Sequence, residues 1–340
     1  MKIVNLLDDF NLGGVTKGLS IFEEPEICAF ATVQTIAIQP DQLWAEAFDA
    51  DIIITHFPPN WRRLSYLASL RRCNPRARLV HVEHSYTENW HHHNVSHPVR
   101  FQKMLSLALG QFDEIVCVSN AQRDWITELT ALRAGRFQTI YPYSYHPGID
   151  DLPPPQFKDG RTLTIGSYGR LHSCKGFDRL IEAFLAIGPD SGLKLVIGGA
   201  GPDEAALKEL AAAAPHISFA GLVENVADFL SRCDVIAVPS RYESFGQVAL
   251  EARRAARPLL VSGADGLPEQ VTDCGLIVDC SSQHILTAAL SLFPILPLAH
   301  MSQMARASAQ HAREQSVYGW ANLFTHGGAE QPVVRARRQF

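Results

Sequence analysis

Two glutamates beside a polar turn give the chain its clearest sign of chemistry. Seven residues separate Glu243 from Glu251. The turn, 240–246, follows a short apolar run at 235–238 and precedes a helix-like segment that begins at Gln247. The first N–H groups of a helix lack partners within the helix and attract phosphate or another anion. The spacing therefore predicts an anion site with two carboxylates beside it.

Carboxylates do not help to bind a phosphate, so they need another target. A carboxylate only accepts hydrogen bonds, which makes hydroxyl groups on either side of the anion the natural partners. A phosphate flanked by hydroxyls describes a nucleotide sugar, with ribose on one side and a hexose on the other. The alternative is that Glu243 is a solvated turn residue and Glu251 a surface helix residue, as most charged residues are.

Two cations upstream favour the nucleotide-sugar interpretation. Arg170 and Lys175 are each next to a glycine, Gly169 and Gly176. A forked guanidinium and a point-charge ammonium suit the two phosphates of a diphosphate leaving group. Positive groups placed where charge develops are usually the largest catalytic contribution. Without those glycines, two solvated surface cations would be the simpler interpretation.

Metal binding is not predicted. No carboxylate motif for Mg²⁺ accompanies the two cations. The histidines 91–93 and His97 do not fit zinc-site spacings, because adjacent residues point in different directions and only Glu88 lies nearby. We expect this histidine run to be an exposed loop bordering an acceptor cleft.

The motifs together resemble the signature of the retaining glycosyltransferase family 4 (glycosyl transferases group 1), which has the GT-B fold. The similar segments are PSRYESFGQVALEA, GRLHSCKGFDRLIEAF, VIGGAGPDEAALKEL and FAGLVENVADFLSRCDV, and they lie within about 161–280. The resemblance implies an α/β protein of two Rossmann-like doubly wound domains that face each other across a cleft. It also implies catalytic roles for His84, Arg170, Lys175 and Glu243.

The resemblance also assigns the donor-binding positions. Glu251 would hold the ribose hydroxyls, Glu243 would face the sugar hydroxyls, and Val223 would border the base. His84, after a strand, would face the transferred sugar. The full donor-binding set is Gly13, Gly14, Gly169, Arg170, Lys175, Val223, Glu243, Ser244, Phe245, Gly246, Gln247 and Glu251. Here Ser244 to Gln247 supply N–H groups, and the Gly13–Gly14 loop reaches the diphosphate from the opposite domain.

The implied function is metal-independent, retaining transfer of a hexose-type sugar from UDP-sugar or GDP-sugar to a glycan or lipid-linked acceptor. No further cofactor is implied. Two alternatives stay open: a nucleotide-sugar 2-epimerase of the same fold, and a non-catalytic nucleotide-sugar-binding partner. The base, the sugar and the acceptor are not specified by these residues.

The order of apolar runs predicts how these residues are positioned. Short strands and helices alternate throughout, as in doubly wound sheets. Prolines 153–155 indicate a linker. We predict an acceptor-side domain at 1–145, a linker at 146–160 and a nucleotide-sugar domain at 161–315. A helix at 316–330 would cross back to the first domain, and 331–340 would form a basic tail with Arg335, Arg337 and Arg338.

Composition excludes several classes of protein. The chain has 340 residues and a net charge of −5, so nucleic acid is not the expected partner. The first residues, MKIVNLLDDFNLGG, predict a strand and not a signal peptide, and no apolar run reaches eighteen residues. Seven cysteines without a C-x-x-C motif favour a reducing compartment, with Cys28, Cys117 and Cys233 as buried thiols. We expect a cytoplasmic protein.

The arginine-rich segment Arg62–Arg78 allows two interpretations. It could be a surface for anionic lipid, which would place the protein peripherally at the inner face of a membrane. It could instead be an ordinary amphipathic helix that packs on the sheet, since Trp61, Leu64, Leu67 and Leu70 recur at helical spacing. The acidic balance of the first 150 residues favours the second interpretation.

Overall fold

Among the residues that the structure describes, six parallel strands form the first sheet, in the order β2-β1-β3-β4-β5-β6. The computed structural model describes residues 1–9, 13–158 and 160–326. The strands are β1 (Lys2–Leu7), β2 (Thr32–Ala37), β3 (Ile52–Thr55), β4 (Arg78–Glu83), β5 (Glu114–Cys117) and β6 (Phe137–Thr139). The helices are α1 (Gly14–Gly18), α2 (Pro25–Cys28), α3 (Leu64–Cys73), α4 (Glu88–Asn94), α5 (Pro98–Leu109) and α6 (Asn120–Thr130). All four residues of β3 and of β5 are buried, because helices cover both faces of a parallel sheet.

Six further strands of the described ranges form the second sheet, all parallel, in the order β12-β11-β10-β7-β8-β9. The strands are β7 (Leu163–Tyr168), β8 (Leu193–Gly198), β9 (Ile217–Gly221), β10 (Val235–Val238), β11 (Leu259–Ser262) and β12 (Gly275–Val278). The helices are α7 (Phe177–Ile187), α8 (Glu204–Leu210), α9 (Val226–Ser231), α10 (Gln247–Arg254), α11 (Gln283–Leu292), α12 (Leu298–Ala309) and α13 (Ala312–His326). Two doubly wound α/β domains are thus confirmed, and ligands of such sheets gather at the carboxyl ends of the strands.

Two local expectations are wrong. The histidine run 91–93 belongs to α4 and is not a loop; Thr87 caps this helix by accepting a hydrogen bond from the Trp90 N–H at 3.1 Å. Cys28 is exposed, and its thiol donates to the Phe22 carbonyl at 3.6 Å, whereas Cys117 and Cys233 are buried as expected.

The helix of the arginine-rich segment packs on the first sheet. Leu67 and Leu70 of α3 are buried in the core. Arg63 is buried as well, and its guanidinium donates to the Asp8 carboxylate at 2.7 Å. Arg62, Arg72 and Arg76 are exposed. The segment is therefore an amphipathic helix whose buried face belongs to the core.

Arginines of the second domain hold the segment between the two sheets. The guanidinium of Arg254 donates to both carboxylate oxygens of Asp150, at 2.9 and 2.6 Å, and to the Ser144 carbonyl at 2.8 Å. Arg257 donates to the Pro153 carbonyl at 2.9 Å. This segment therefore lies along the second domain.

The last described helix, α13, packs on the first domain. Its buried side chains Trp320 and Phe324 share a core with Phe22, and the Trp320 and Phe22 rings meet edge to face at 4.8 Å between centroids. Arg313 pairs with Glu24 near the start of the same helix. The predicted extension 327–330 and the predicted basic tail 331–340 lie outside the described residues.

Among the helices that the structure describes, none taken alone combines the length and apolar character needed to cross a bilayer. One pair bent by 103°, Gln283–Ile295 with Leu298–Thr325, meets that criterion by length and composition only.

Candidate functional site

A cleft of about 910 Å³ lies between the two domains, at the carboxyl ends of both sheets. It brings together almost all of the predicted site residues. Those that line it are Gly13, His84, Gly169, Arg170, Lys175, Val223, Glu243, Ser244, Phe245, Gly246, Gln247 and Glu251. Gly14 is the first residue of α1, directly after Gly13. A second cavity of about 690 Å³, next to Trp61, contains none of the predicted site residues, so the cleft is the candidate site.

Lys175 and Glu243 form an ion pair on the wall of the cleft that the second domain provides. The ammonium of Lys175 donates to Oε2 of Glu243, and the Ser240 hydroxyl donates to the same oxygen at 3.2 Å. Burial disfavours the charged ammonium, but the charge and hydrogen bond of Glu243 outweigh it and raise the pKa of Lys175. Lys175 therefore remains a cation in the cleft, held by a carboxylate.

The loop before α7 sets the position of Lys175. Gly176 has φ +69°, and a Cβ added there would lie 2.1 Å from the Pro239 carbonyl oxygen at the end of β10. The Arg241 N–H donates to the Cys174 carbonyl at 2.7 Å, which ties the loop to the turn that carries Glu243. Only a glycine allows this close approach, and the approach brings the two charged residues together.

Arg170 follows β7 and lines the same cleft. Its side chain is exposed and has no hydrogen-bond or ion-pair partner within the described ranges. Arg170 and Lys175 together place two positive groups at the carboxyl end of β7, one free to bind an anion and one held by Glu243.

Glu251 is buried and not a surface residue of α10. It is only 6% exposed, and Oε2 accepts a hydrogen bond from the hydroxyl of Tyr168. The His146 Nε2 atom lies 3.0 Å from Oε1, although the angle is not that of a hydrogen bond. Burial and the nearby Glu251 charge raise the pKa of Tyr168 well above its usual value, so the phenol stays a donor. The carboxylate is therefore oriented before any ligand arrives.

Sequence reasoning missed Tyr168 and His146. Tyr168 ends β7 directly before Gly169, a position that could have been flagged because ligands gather at strand ends. His146 lies in the segment between the domains, where no sequence pattern indicates a contact with Glu251.

His84 of the first domain faces the cleft together with a second histidine. His56 follows β3, and the two imidazoles stack with 5.5 Å between centroids. His56 Nδ1 lies 3.2 Å from His84 Nε2, and His56 Nε2 lies 3.1 Å from the Asn5 Oδ1 atom. Sequence reasoning missed His56, although the same strand-end rule that selected His84 applies to it.

Both histidines are neutral at physiological pH. Burial lowers the pKa of His84 to about 4, although the charge of Glu83 acts in the opposite direction. Burial, followed by the neighbouring His84 and His81, lowers the pKa of His56 well below its usual value. A neutral imidazole has one N–H donor and one acceptor nitrogen, so His84 can bind a hydroxyl but does not bring a charge.

The described residues include no group of three or more His, Cys, Asp or Glu side chains that could hold a metal ion. The charges that line the cleft are those of side chains such as Arg170, Lys175 and Glu243.

Two family profiles match the chain. The profile described as glycosyl transferases group 1 matches residues 162–293, and the profile described as glycosyltransferase family 4 matches residues 33–143. Together the two matches take in most of both domains and every predicted site residue except Gly13 and Gly14.

Curated relatives match parts of the chain. A GDP-mannose-dependent alpha-(1-6)-phosphatidylinositol dimannoside mannosyltransferase of Mycobacterium tuberculosis is 35% identical over 148 residues, which is 42% of this chain and 38% of the relative. A D-inositol 3-phosphate glycosyltransferase of Rhodococcus opacus is 29% identical over 230 residues, 61% of this chain and 51% of the relative. The chain thus matches about half or less of the length of these relatives.

Solved structures resemble almost the whole chain. HepE of Anabaena in complex with UDP has a TM-score of 0.74 at 18% identity, covering 95% of this chain and 100% of that one. WaaG, a glycosyltransferase involved in lipopolysaccharide biosynthesis, has a TM-score of 0.69 at 18% identity, covering 96% and 100%. The two facing doubly wound domains therefore form a GT-B fold, as the sequence predicts.

Proposed function

The chain belongs to the group 1 glycosyltransferases of family 4, and we propose that it is a retaining hexosyltransferase that uses UDP-sugar or GDP-sugar. The acceptor in this proposal is a glycan or a lipid-linked saccharide. The observation that carries it is the Lys175–Glu243 ion pair, which lies beside the start of α10 and opposite His84 in one cleft.

The proposed reaction separates charge, and the cleft supplies the opposite charge. As the glycosidic bond breaks, negative charge grows on the departing nucleoside diphosphate. Arg170 and Lys175 compensate for that charge, and the N–H groups at the start of α10 add to them. Because these groups are already in place, little reorganisation is needed during the step. We therefore propose transfer that does not depend on a metal ion.

The two glutamates orient the donor on either side of its phosphates. Glu251, fixed by the Tyr168 hydroxyl, accepts from the ribose hydroxyls in this proposal. Glu243, held by Lys175 and Ser240, accepts from the hydroxyls of the sugar that is transferred. Val223 borders the base. The carboxylates thus place the anomeric carbon, and neither acts as a nucleophile.

The neutral His84 has an orienting role in this proposal. It presents one nitrogen to a sugar hydroxyl from the face opposite Arg170 and Lys175. Retention follows if the departing phosphate takes the proton of the acceptor hydroxyl on the same face of the sugar. The proton then leaves with the nucleoside diphosphate, and the new bond forms where the old one broke.

The acceptor is proposed to approach along the first domain. The Mycobacterium tuberculosis relative acts on a phosphatidylinositol dimannoside, as its name states, and WaaG is described as involved in lipopolysaccharide biosynthesis. Around the second cavity, Trp61 is 43% and Val99 64% exposed, and Arg100 stacks over the Trp61 ring at 5.6 Å. Apolar and cationic groups of this kind suit a lipid-linked acceptor at the cytoplasmic face of a membrane.

Thermal unfolding in the presence of UDP, GDP, ADP and their common sugars, with and without Mg²⁺, tests the donor site. A ligand at 100 times its dissociation constant should stabilise the protein by about 2.7 kcal/mol. Stabilisation by one nucleoside diphosphate without Mg²⁺ would support the proposal and identify the base. No shift with any of these ligands would contradict it and favour a protein that does not bind nucleotide sugars.

Product analysis then separates transfer from epimerisation. The identified donor is incubated with the enzyme, and the sugar products are resolved by chromatography. Release of the nucleoside diphosphate with sugar transferred to water or to an added glycan supports a transferase. Formation of an epimer without any acceptor would overturn the proposal.

A further inference from the structure

A loop after β11 supports the main chain of the turn that carries Glu243. We call Ala264–Gln270 the coupling loop. The Asp265 Oδ2 atom accepts from the Glu243 N–H at 3.0 Å, and the Gly266 N–H donates to the Glu243 carbonyl at 3.1 Å. The Gln270 side-chain amide donates to the Phe245 carbonyl at 3.2 Å. The position of the turn therefore depends on the coupling loop as well as on α10.

Asp265 binds the first domain at the same time. Its Oδ2 atom, which accepts from Glu243, also accepts from the Thr87 hydroxyl at 2.8 Å. Its Oδ1 atom accepts from the N–H and the side-chain amide of Asn89, at 3.0 and 3.1 Å. One carboxylate thus joins the beginning of α4 in the first domain to the turn of the second domain.

A second carboxylate of the loop binds the first domain. Glu269 accepts from the N–H groups of Asn120 and Ala121, at 3.0 and 2.7 Å, and from the Tyr141 hydroxyl at 2.7 Å. The N-cap residue Ser119 accepts a hydrogen bond from the Gln122 N–H. Glu269 accepts from two other N–H groups at the start of α6, which have no partner within the helix. A negative charge at a helix N-terminus is also favourable.

The loop, the turn and the first domain meet at Gly266. A Cβ added there would lie 2.3 Å from the Ser244 carbonyl oxygen and 2.9 Å from the Ser119 Cβ atom. Asp265 beside it has φ +45°, in the left-handed region that costs a non-glycine residue about 1 kcal/mol or more. Because the packing is this close, a displacement of the first domain at this contact should also displace the loop and the turn.

We propose that Asp265 is a positioning residue, which couples docking of the first domain to the position of the turn Glu243–Gly246. This inference rests on the proposed function in that the turn is taken as part of the donor site. When Thr87 and Asn89 dock, the Asp265 carboxylate is fixed, and it fixes the Glu243 N–H. Coupling between two binding events is reciprocal, so a nucleotide that orders the turn should strengthen docking of the first domain.

Two matched substitutions separate coupling from docking. In Asp265→Asn one oxygen becomes an NH₂ group, which can no longer accept a hydrogen bond. Either the Glu243 side or the Asn89 side then loses its acceptor, while asparagine tolerates the left-handed backbone. Glu269→Gln makes the same chemical change at a contact with the first domain that reaches the turn indirectly, through the Tyr141 ring, which lies 5.7 Å from the Phe245 ring between centroids.

Hydrogen exchange by mass spectrometry, on peptides containing Asn120–Ala121 and Glu243–Gly246, tests the inference with UDP and GDP as probes. In the wild-type protein, the nucleotide that binds should slow exchange at Asn120–Ala121, across the domain boundary. Glu269→Gln should speed exchange there without nucleotide, but keep nucleotide affinity within about twofold. Asp265→Asn should weaken nucleotide affinity about tenfold and abolish the nucleotide effect at Asn120–Ala121.

Equal losses of nucleotide affinity in the two variants would overturn the inference, as would an Asp265→Asn variant that keeps the nucleotide effect. If the wild-type protein binds neither UDP nor GDP, the proposed function fails and not the coupling. Exchange without nucleotide then decides: faster exchange at Glu243–Gly246 in Asp265→Asn than in Glu269→Gln supports the coupling, and equal rates overturn it.

Discussion

At the residue scale, the cleft contains charged side chains that are already paired within the protein. Lys175 contacts Glu243, and Glu251 accepts from Tyr168. Pairing holds these groups in one orientation and keeps Lys175 a cation, because an unpaired buried charge is costly. A ligand that enters the cleft therefore meets groups that are preorganised for anion and hydroxyl recognition.

Replacement of Lys175 by alanine should reduce donor turnover by about 10²- to 10³-fold, because a positive group at the leaving diphosphate is lost. The measurement is release of nucleoside diphosphate from the donor that stabilises the protein. Lys208→Ala is the matched control, since Lys208 pairs with Glu204 on the exposed face of α8. Circular dichroism should show that both variants are folded. Near-wild-type turnover in Lys175→Ala would contradict the assignment of Lys175.

Acid should destabilise the protein through His84. Its pKa is about 4 in the folded protein, against about 6.5 for an unperturbed histidine in an unfolded chain. Between these pH values the unfolded chain binds more protons than the folded protein does. The stability that neutral His84 contributes is therefore fully present above pH 6.5 and is lost as the pH falls towards 4. The expected contribution is on the order of 3 kcal/mol.

Urea unfolding at several pH values checks this prediction. The curve of stability against pH for His84→Asn should be flatter than the wild-type curve between pH 6.5 and 4. His300→Asn, which changes an exposed histidine of α12, should run parallel to the wild-type curve. Parallel curves for all three proteins would show that His84 is not held neutral by burial.

At the scale of elements, the loop between β7 and α7 positions the cations because Gly176 allows it to touch the end of β10. Gly176 and Gly192 have nearly the same φ, +69° and +73°, but a Cβ at Gly192 would meet nothing within 4 Å. Alanine substitutions at the two positions therefore distinguish the cost of a left-handed backbone from the cost of a steric clash.

Gly192→Ala should cost about 1 kcal/mol of unfolding free energy, from the left-handed backbone alone. Gly176→Ala should cost about 3 kcal/mol, because the Pro239 carbonyl must also move, and it should impair donor turnover by shifting Lys175. Urea unfolding and the turnover assay give both quantities. Similar losses of stability in the two variants would show that the contact with Pro239 is easily relieved.

Elements with clear apolar runs could be predicted from sequence, whereas contacts between elements could not. The apolar run 235–238 coincides with β10, because an apolar run closed by a proline residue defines a buried strand. α4 was not predicted, since its histidines show no apolar period and its first turn is held by Thr87 and by Asp265 of the other domain.

The same distinction applies to the candidate site. Turn glycines and paired charges indicated the positions of Arg170, Lys175 and Glu243, because their chemistry is local. The contacts of His146 with Glu251 and of His56 with His84 join parts of the chain far apart in sequence. Spacing carries no information about such contacts.

At the scale of the whole molecule, α13 connects the two domains, and we expect it to make them unfold as one unit. It follows the second domain in sequence, yet Trp320 packs against Phe22 of the first domain and lines the cleft. If α13 detached from the first domain, both the core of that domain and the cleft would therefore be disturbed.

Trp320→Ala should destabilise the protein by about 3 to 4 kcal/mol, as expected for truncation of a large buried aromatic side chain. It should also split a single thermal transition into two, with the first domain melting earlier. Tyr318→Ala is the control on the same helix, because Tyr318 is 72% exposed, and it should change stability by less than about 0.5 kcal/mol. One unsplit transition at an unchanged midpoint in Trp320→Ala would contradict this role of α13.

The return of α13 to the first domain also has a consequence during protein synthesis. The face of the first sheet that Val317, Trp320 and Leu323 cover contains Ile3, Ile52 and Val80. The ribosome must add about 170 further residues after β6 before α13 exists, which takes roughly 10 to 30 seconds at usual elongation rates. For that time the part of this apolar face that α13 covers in the complete fold stays exposed, so we expect it to be a binding site for chaperones that act on nascent chains.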